Sequence, residues 1–116
     1  MKKVLIVEDE PRIRSMYCDL LTTCGMEVRE ASNAWEAADT LISEKLDLVL
    51  LDLKLPCIDG KDFYDMIREH DPNMKIIISS VQPIEKQKQL VPGALAYFDK
   101  SHGTYALLEK VNDVLN

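Results

Sequence analysis

The chain has 116 residues, 47 % of them apolar, with 14 basic against 20 acidic side chains and a net charge of −6. That is enough for one domain around one hydrophobic core, and too acidic to hold DNA, RNA or an anionic membrane through charge. Only Val4-Leu5-Ile6-Val7 separate Lys3 from Glu8, too short for a secretory signal, and no apolar run nears the roughly 20 residues that span a bilayer, so the expected setting is cytoplasmic.

The first predicted strand is Lys3–Val7, an uninterrupted apolar run closed by Glu8 and Asp9. A helix follows from Pro11 to Cys24, with Ile13, Met16, Tyr17, Leu20, Leu21 and Cys24 spaced three and four apart as its inner face. Pro11 suits its first turn and Gly25 the left-handed residue beyond its end. The second strand, Glu27–Glu30, is short and polar and belongs nearer a sheet edge. Ser32 or Asn33 caps the second helix, with Glu36 placed for a capping box and Ala34, Ala38, Leu41 and Ile42 facing inward. The third strand, Leu48–Leu51, ends at Asp52.

Lys54 to Gly60 reads as a loop with an Asp59-Gly60 turn. The third helix covers Lys61–His70 and buries Phe63, Met66 and Ile67. The fourth strand is Lys75–Ser79. The fourth helix, near Ile84–Leu90, is weakly patterned and rich in Gln and Lys, between Pro83 and Pro92. Leu95–Phe98 forms the fifth strand and Thr104–Leu115 the fifth helix, with Leu107, Leu108, Val111, Val114 and Leu115 apolar. Five strands, all but the second apolar, alternating with five helices imply an α/β fold, a parallel sheet covered on both faces.

If the first and third strands are neighbours, their carboxyl ends bring Glu8, Asp9 and Asp52 together at the edge where open α/β sheets bind ligands. Three carboxylates that close repel unless a cation sits among them. The pattern is that of a hard-metal site containing a potential nucleophile. Cys18, Cys24 and Cys57 are odd in number and lack a His partner, which argues against a disulfide framework or a zinc site. Cys18 and Cys24 are expected as reduced, packed thiols, and Cys57 as a more exposed one in the loop. Trp35 is expected to be partly exposed, and neither His70 nor His102 has a metal-ligand partner nearby in sequence.

The order Val4-Leu5-Ile6-Val7-Glu8-Asp9-Glu10, Leu48 through Pro56 with Asp52 inside it, Asp59-Gly60, Ser80, Gly93-Ala94, Tyr97 and Lys100 resembles the response regulator receiver domain, the phosphoacceptor of two-component signalling. The resemblance covers essentially residues 1–116 as one domain. It implies a flavodoxin-like, doubly wound five-stranded parallel sheet in the order 2-1-3-4-5. It further implies a phosphorylation-dependent switch that takes its phosphoryl group from a histidine kinase or phosphotransfer protein. Partner binding would then change through the face made by the fourth helix, fifth strand and fifth helix. The chain ends where the fifth helix should, which fits both a stand-alone receiver and an excised one.

By the same resemblance Asp52 is the phosphoacceptor. Mg²⁺ is held by Asp9, Asp52 and the backbone carbonyl of Lys54, with Glu8 acting through a metal-bound water. Lys100 pairs with the acceptor and then with the phosphoryl group. Ser80 and Tyr97 form the switch. Strand alternation lets only one of Ser79 and Ser80 face the site; the family's spacing favours Ser80, with Ser79 the rival. Tyr97 has the alternative of being an ordinary half-buried strand residue.

Five departures from the family pattern stand out, at Glu8, Val81, Lys54, Ser101 and the fourth helix. Glu8 replaces the frequent aspartate. Val81 stands where Ala or Gly is usual and, with Lys54, is expected to slow hydrolysis of the acyl phosphate. Ser101 replaces a proline that often follows the lysine, so the Lys100–Ser101 bond is either trans or a strained cis bond. The fourth helix is short.

Three rivals share this kind of sheet. A phosphatase of the haloacid dehalogenase type would want an Asp where Lys54 stands. A flavin-binding flavodoxin would want a Ser/Thr/Gly-rich loop where Glu8-Asp9-Glu10-Pro11 stands. A receiver-like protein acting without phosphorylation is not required by any residue, since Asp9, Asp52, Ser80 and Lys100 are all present.

Overall fold

The computed structural model describes residues 1–116. Strands β1 (Lys3–Val7), β2 (Glu27–Ala31), β3 (Leu48–Asp52), β4 (Ile76–Ser80) and β5 (Ala96–Asp99) alternate with helices α1 (Pro11–Thr23), α2 (Ala34–Ser43), α3 (Gly60–His70), α4 (Ile84–Leu90) and α5 (Thr104–Leu115), with a 3₁₀ turn at Lys100–His102. The five strands form one parallel sheet in the order β2-β1-β3-β4-β5. β1 and β3 are neighbours, with Val7 opposite Leu51, so Glu8 and Asp52 leave the same end of adjacent strands. The polar strand β2 lies at one edge and β5 at the other.

Alternation along the strands builds two apolar layers. Leu5, Val7, Val49, Leu51, Ile76 and Ile78 pack on one face against Ala34 and Ala37 of α2 and Phe63, Tyr64 and Ile67 of α3. Val4, Ile6, Leu48, Leu50, Ile77 and Phe98 pack on the other against Tyr17 and Leu21 of α1 and Leu107, Val111 and Leu115 of α5. Each fully buried Leu or Ile contributes roughly 1.5–3 kcal/mol of transfer free energy. No helix is long and apolar enough to cross a membrane.

Local chemistry sets the helix ends. The Glu10 carboxylate accepts from the Arg12 and Ile13 N–H groups and caps α1, with Pro11 in the first turn. Gly25 takes φ 87°, the left-handed conformation that closes α1. Asn33 caps α2, while Glu36 reaches back to the Ser32 N–H and hydroxyl rather than to the cap residue's own N–H.

Several expectations need correction. Met16, Ile42 and Met66 point to solvent, and Tyr64 takes the inward place on α3. Each helix rests on the sheet through a narrower face than its apolar residues suggest. Cys24, at the exposed end of α1, is not packed; Cys18 is partly covered and Cys57 is exposed. Asp59-Gly60 is not a free turn, since Asp59 caps α3 and Gly60 is its first residue. β5 begins at Ala96, leaving Leu95 exposed, and Ser80 belongs to β4 itself.

Candidate functional site

At the carboxyl edge of the sheet, Glu8, Asp9 and Asp52 place carboxylate oxygens within 4.8 Å of one another. The cleft they share, about 460 Å³, is also lined by Lys54, Ser80, Val81 and Lys100. Thus seven of the eight residues singled out from sequence meet in one place. Tyr97 does not line this cleft. It is buried on β5, where its hydroxyl donates to the Val91 carbonyl and accepts from the Ala94 N–H at 3.1 Å.

Glu8 is 2 % exposed and Asp52 4 % exposed, whereas Asp9 is open to solvent. Lys100, carried by the turn after β5, puts Nζ 2.7 Å from Glu8 Oε1 and 3.1 Å from Asp52 Oδ2. The other Glu8 oxygen accepts from the Glu10 N–H at 3.2 Å, and Asp52 Oδ1 accepts from the Lys54 N–H at 3.1 Å. Arg14 on α1 donates to the Glu8 carbonyl at 2.8 Å and pairs with Glu30, fixing the strand end. Arg14 carried no signal of its own, because helical spacing does not tell which cation reaches back to a strand end.

Burial pushes the Glu8 carboxyl above its ordinary range; the Lys100 bond pulls it down, and the neighbouring Asp52 charge raises it again. For Lys100, burial works against the ammonium, but the Glu8 bond and the Asp52 charge outweigh it and the net direction is upward. Glu8 and Asp52 thus share one cation, and Asp9 has none within the protein.

The Lys100 turn is built by Asp99. Its Oδ1 accepts from both the Ser101 N–H (2.9 Å) and the Ser101 hydroxyl (2.7 Å), which holds the Asp99 carboxyl below its usual range. No peptide bond in the chain is cis, so the Lys100–Ser101 bond is trans. Proline at 101 could not donate the backbone hydrogen bond that shapes this turn.

Ser80 lines the cleft, and its Oγ accepts from the Gln82 N–H at 3.1 Å. Ser79 Oγ is buried away from it without a partner. Of the two serines, Ser80 is the one that lines the cleft.

The donor set consists of oxygens only, which suits a hard cation such as Mg²⁺ and not zinc. Asp9 makes no hydrogen bond or ion pair within the protein, and the Lys54 carbonyl accepts none. These are the groups with coordination capacity to spare.

The model of the response regulator receiver domain family matches residues 4–112. The chain belongs to that family. It is thus a receiver domain, one of the phosphoacceptor signalling switches of two-component systems. This receiver is 34 % identical over 103 residues to sporulation initiation phosphotransferase F of Bacillus subtilis, covering 85 % of this chain and 82 % of that one. It is 34 % identical over 116 residues to the chemotaxis protein CheY of Thermotoga maritima, covering 97 % of each. Among solved structures, the response regulator TrrA of Thermotoga maritima in complex with Mg²⁺-BeF superimposes with a TM-score of 0.90 at 34 % identity, over 99 % of this receiver and 100 % of that chain. A CheY-like receiver of Methanospirillum hungatei gives 0.91 at 30 % identity, over 99 % and 94 %. The flavodoxin-like order 2-1-3-4-5 is the one these relatives share, and none of the comparisons points to a phosphatase.

Gln87 was missed. It is the one fully buried residue of α4, and its spacing from Ile84 and Val91, three and four, places it on the inner stripe. A glutamine on an otherwise apolar stripe was the available signal.

Proposed function

We propose that Asp52 is the residue phosphorylated, and that a histidine kinase or phosphotransfer protein supplies the group as phosphohistidine. An Asp52 oxygen attacks phosphorus; the new O–P bond forms as the donor's N–P bond breaks, and the electron pair leaves on the imidazole nitrogen. Asp9, Asp52 and the Lys54 carbonyl would hold Mg²⁺, with Glu8 in support. When bound, the ion neutralises charge on the transferred oxygens.

The residues of the chain do the rest. The Lys100 ammonium lies 3.1 Å from Asp52 Oδ2 and is placed to follow the negative charge onto the phosphoryl oxygens. The Glu8 bond holds that ammonium at the site before any phosphoryl group arrives. Ser80 offers its hydroxyl to a phosphoryl oxygen from the end of the neighbouring strand. Tyr97, tied to the loop after α4, is the second half of the switch and shifts its packing as Ser80 moves.

The output surface is that of α4, β5 and α5. Leu90, Leu95 and Tyr105 expose large apolar side chains on or beside those elements, as a surface that exchanges partners requires. The single observation carrying this reading is the Lys100 ammonium bridging Glu8 and Asp52 beside the free carboxylate of Asp9.

The test is intact mass after incubation with acetyl phosphate and Mg²⁺. One phosphoryl group is expected on the wild-type protein and none on Asp52→Asn. Modification that persists in Asp52→Asn, or none in the wild type, overturns the assignment.

A further inference from the structure

α4 has seven residues, no side-chain hydrogen bond at its start, and one fully buried side chain, Gln87. A helix that short gains little from its own backbone and depends on what it packs against. Here the buried contact is polar. Gln87 Nε2 donates to the Gln82 carbonyl at 2.8 Å and to the Phe98 carbonyl, on the edge strand β5, at 2.9 Å. Both amide hydrogens are used. Two carbonyl acceptors also fix the orientation of the amide, since the flipped form would face oxygen to oxygen. Its Oε1 has no partner.

The residue at the other end of this contact is Gln82, whose N–H donates to Ser80 Oγ at 3.1 Å. Residue 82 therefore has its N–H on the hydroxyl of Ser80, which lines the same cleft as Asp52, and its carbonyl on the amide that holds α4. We infer that Gln87 is a positioning residue: it clamps α4 to β5 and couples the placement of that helix to the position of the Ser80 hydroxyl. The inference rests on the reading of Ser80 as the group that meets the phosphoryl oxygens, and it adds the step from that hydroxyl to the helix.

The physical sequence is short. When the Ser80 hydroxyl turns to a phosphoryl oxygen, the Gln82 N–H loses or re-aims its bond, and the Gln82 carbonyl turns with it. A buried amide that loses an acceptor carries the full desolvation penalty, so Gln87 follows the carbonyl or shifts its bonding, and α4 moves with the side chain. The unpartnered Oε1 marks the clamp as incompletely satisfied in this arrangement, which lowers the cost of leaving it.

The test is performed first on the wild-type protein, by following the Gln87 side-chain amide resonances and the α4 backbone amides with and without beryllofluoride and Mg²⁺. The buried side-chain amide is expected to exchange slowly with solvent and to shift on addition. In Gln87→Met, which keeps the volume and removes both donors, α4 amides are expected to exchange about tenfold faster or more, the scale of one lost buried hydrogen bond. Their response to beryllofluoride should largely disappear, while the amides around Asp9 and Asp52 respond as before. Gln87→Asn, should Gln87→Met fold poorly, keeps an amide but shortens its reach, and is expected to blunt the α4 response with the Asp52 region still shifting.

The clamp is overturned if the Asp52 region shifts while the Gln87 amide does not, or if α4 responds fully in Gln87→Met. If neither Asp9, Asp52 nor any other amide responds in the wild type, the site reading itself fails, and the state-dependent role of the clamp fails with it.

Discussion

Lys100 Nζ lies nearer to Glu8 (2.7 Å) than to Asp52 (3.1 Å), although Glu8 is 92 positions away in the chain. Glu8 is the first counterion of that ammonium, and both partners are largely removed from water. The longer side chain at position 8 thus does more than stand at the edge of a metal site. It reaches the lysine and shares that ammonium with Asp52.

Removing the cation should expose the repulsion it masks. Lys100→Met is expected to cost about 3 kcal/mol at pH 7.5, because Glu8 and Asp52 are then buried without a counterion. The deficit should shrink as pH falls. Burial already raises Glu8 in the folded protein, and losing Lys100 removes the main influence that lowers it. A carboxyl raised on folding is bound by more protons in the native state, so its destabilising effect grows as pH rises past about 4.3 and fades below it. In the wild type the Lys100 contribution is complete below about 10.4 and is lost only as pH rises beyond that, through the raised value in the folded state. Urea unfolding of both proteins at pH 5 and 7.5 checks this. An equal deficit at both values would mean that only packing of the lysine stem was lost.

Asp9 is exposed and makes no internal bond, so its charge is a liability until a cation arrives. Asp9→Asn is expected to leave the melting temperature of the metal-free protein unchanged or slightly raised. In the wild type, Mg²⁺ at ten times its Kd should add about 1.4 kcal/mol and raise the melting temperature by several degrees. The variant should lose most of that increment. Melts with and without MgCl₂ decide it; equal Mg²⁺ responses in the two proteins would place the ion elsewhere.

Most of the fold and the site was legible because both depend on short-range pattern. Runs such as Val4–Val7 and Leu48–Leu51 announce buried parallel strands, and the residues that carry chemistry sit where those runs stop. What stayed hidden is what depends on distance across the fold. Nothing in the sequence says that Lys100 bonds Glu8 first, that Ser101 shapes the lysine turn through Asp99, or that Gln87 donates to two carbonyls. Met16, Ile42 and Met66 misled because an apolar residue on a helix is not bound to face inward when a narrow stripe already satisfies the sheet.

Gly60 is required by proximity rather than by its backbone angle. A Cβ built there falls 2.3 Å from the Asp52 carbonyl oxygen and 2.5 Å from the Leu53 Cα, both rigid backbone atoms. Its N–H also donates to the Leu53 carbonyl at 2.9 Å, which pins the start of α3 to the segment after the acceptor. Gly60→Ala is expected to cost about 3 kcal/mol or more, since neither side can yield without moving β3. Chemical denaturation gives the stability, and the same variant should phosphorylate more slowly. A loss under about 1 kcal/mol would show that the loop relaxes freely.

The lifetime of the phosphorylated form should be set at the mouth of the cleft. Val81 is 74 % exposed, so its side chain is not consumed by the core, and it lines the cleft directly after Ser80. Lys54 lines the same cleft two residues after Asp52, its side chain open to solvent. If Asp52 is phosphorylated, these two side chains stand beside the space an attacking water would use. Trimming Val81 to Ala widens the approach without removing any group that touches Asp52, so hydrolysis is expected to speed up several-fold, a barrier change under about 1.4 kcal/mol. Lys54→Ala should act in the same direction, and the double variant should exceed either alone. The decay of phosphorylated protein after removal of acetyl phosphate measures all four forms. Phosphoryl transfer onto Asp52 should stay within about twofold, because the acceptor and Lys100 are untouched. A wild-type lifetime of only seconds, or decay rates unchanged in the variants, would remove Val81 and Lys54 from control of the lifetime and leave it to the groups around Asp52 itself.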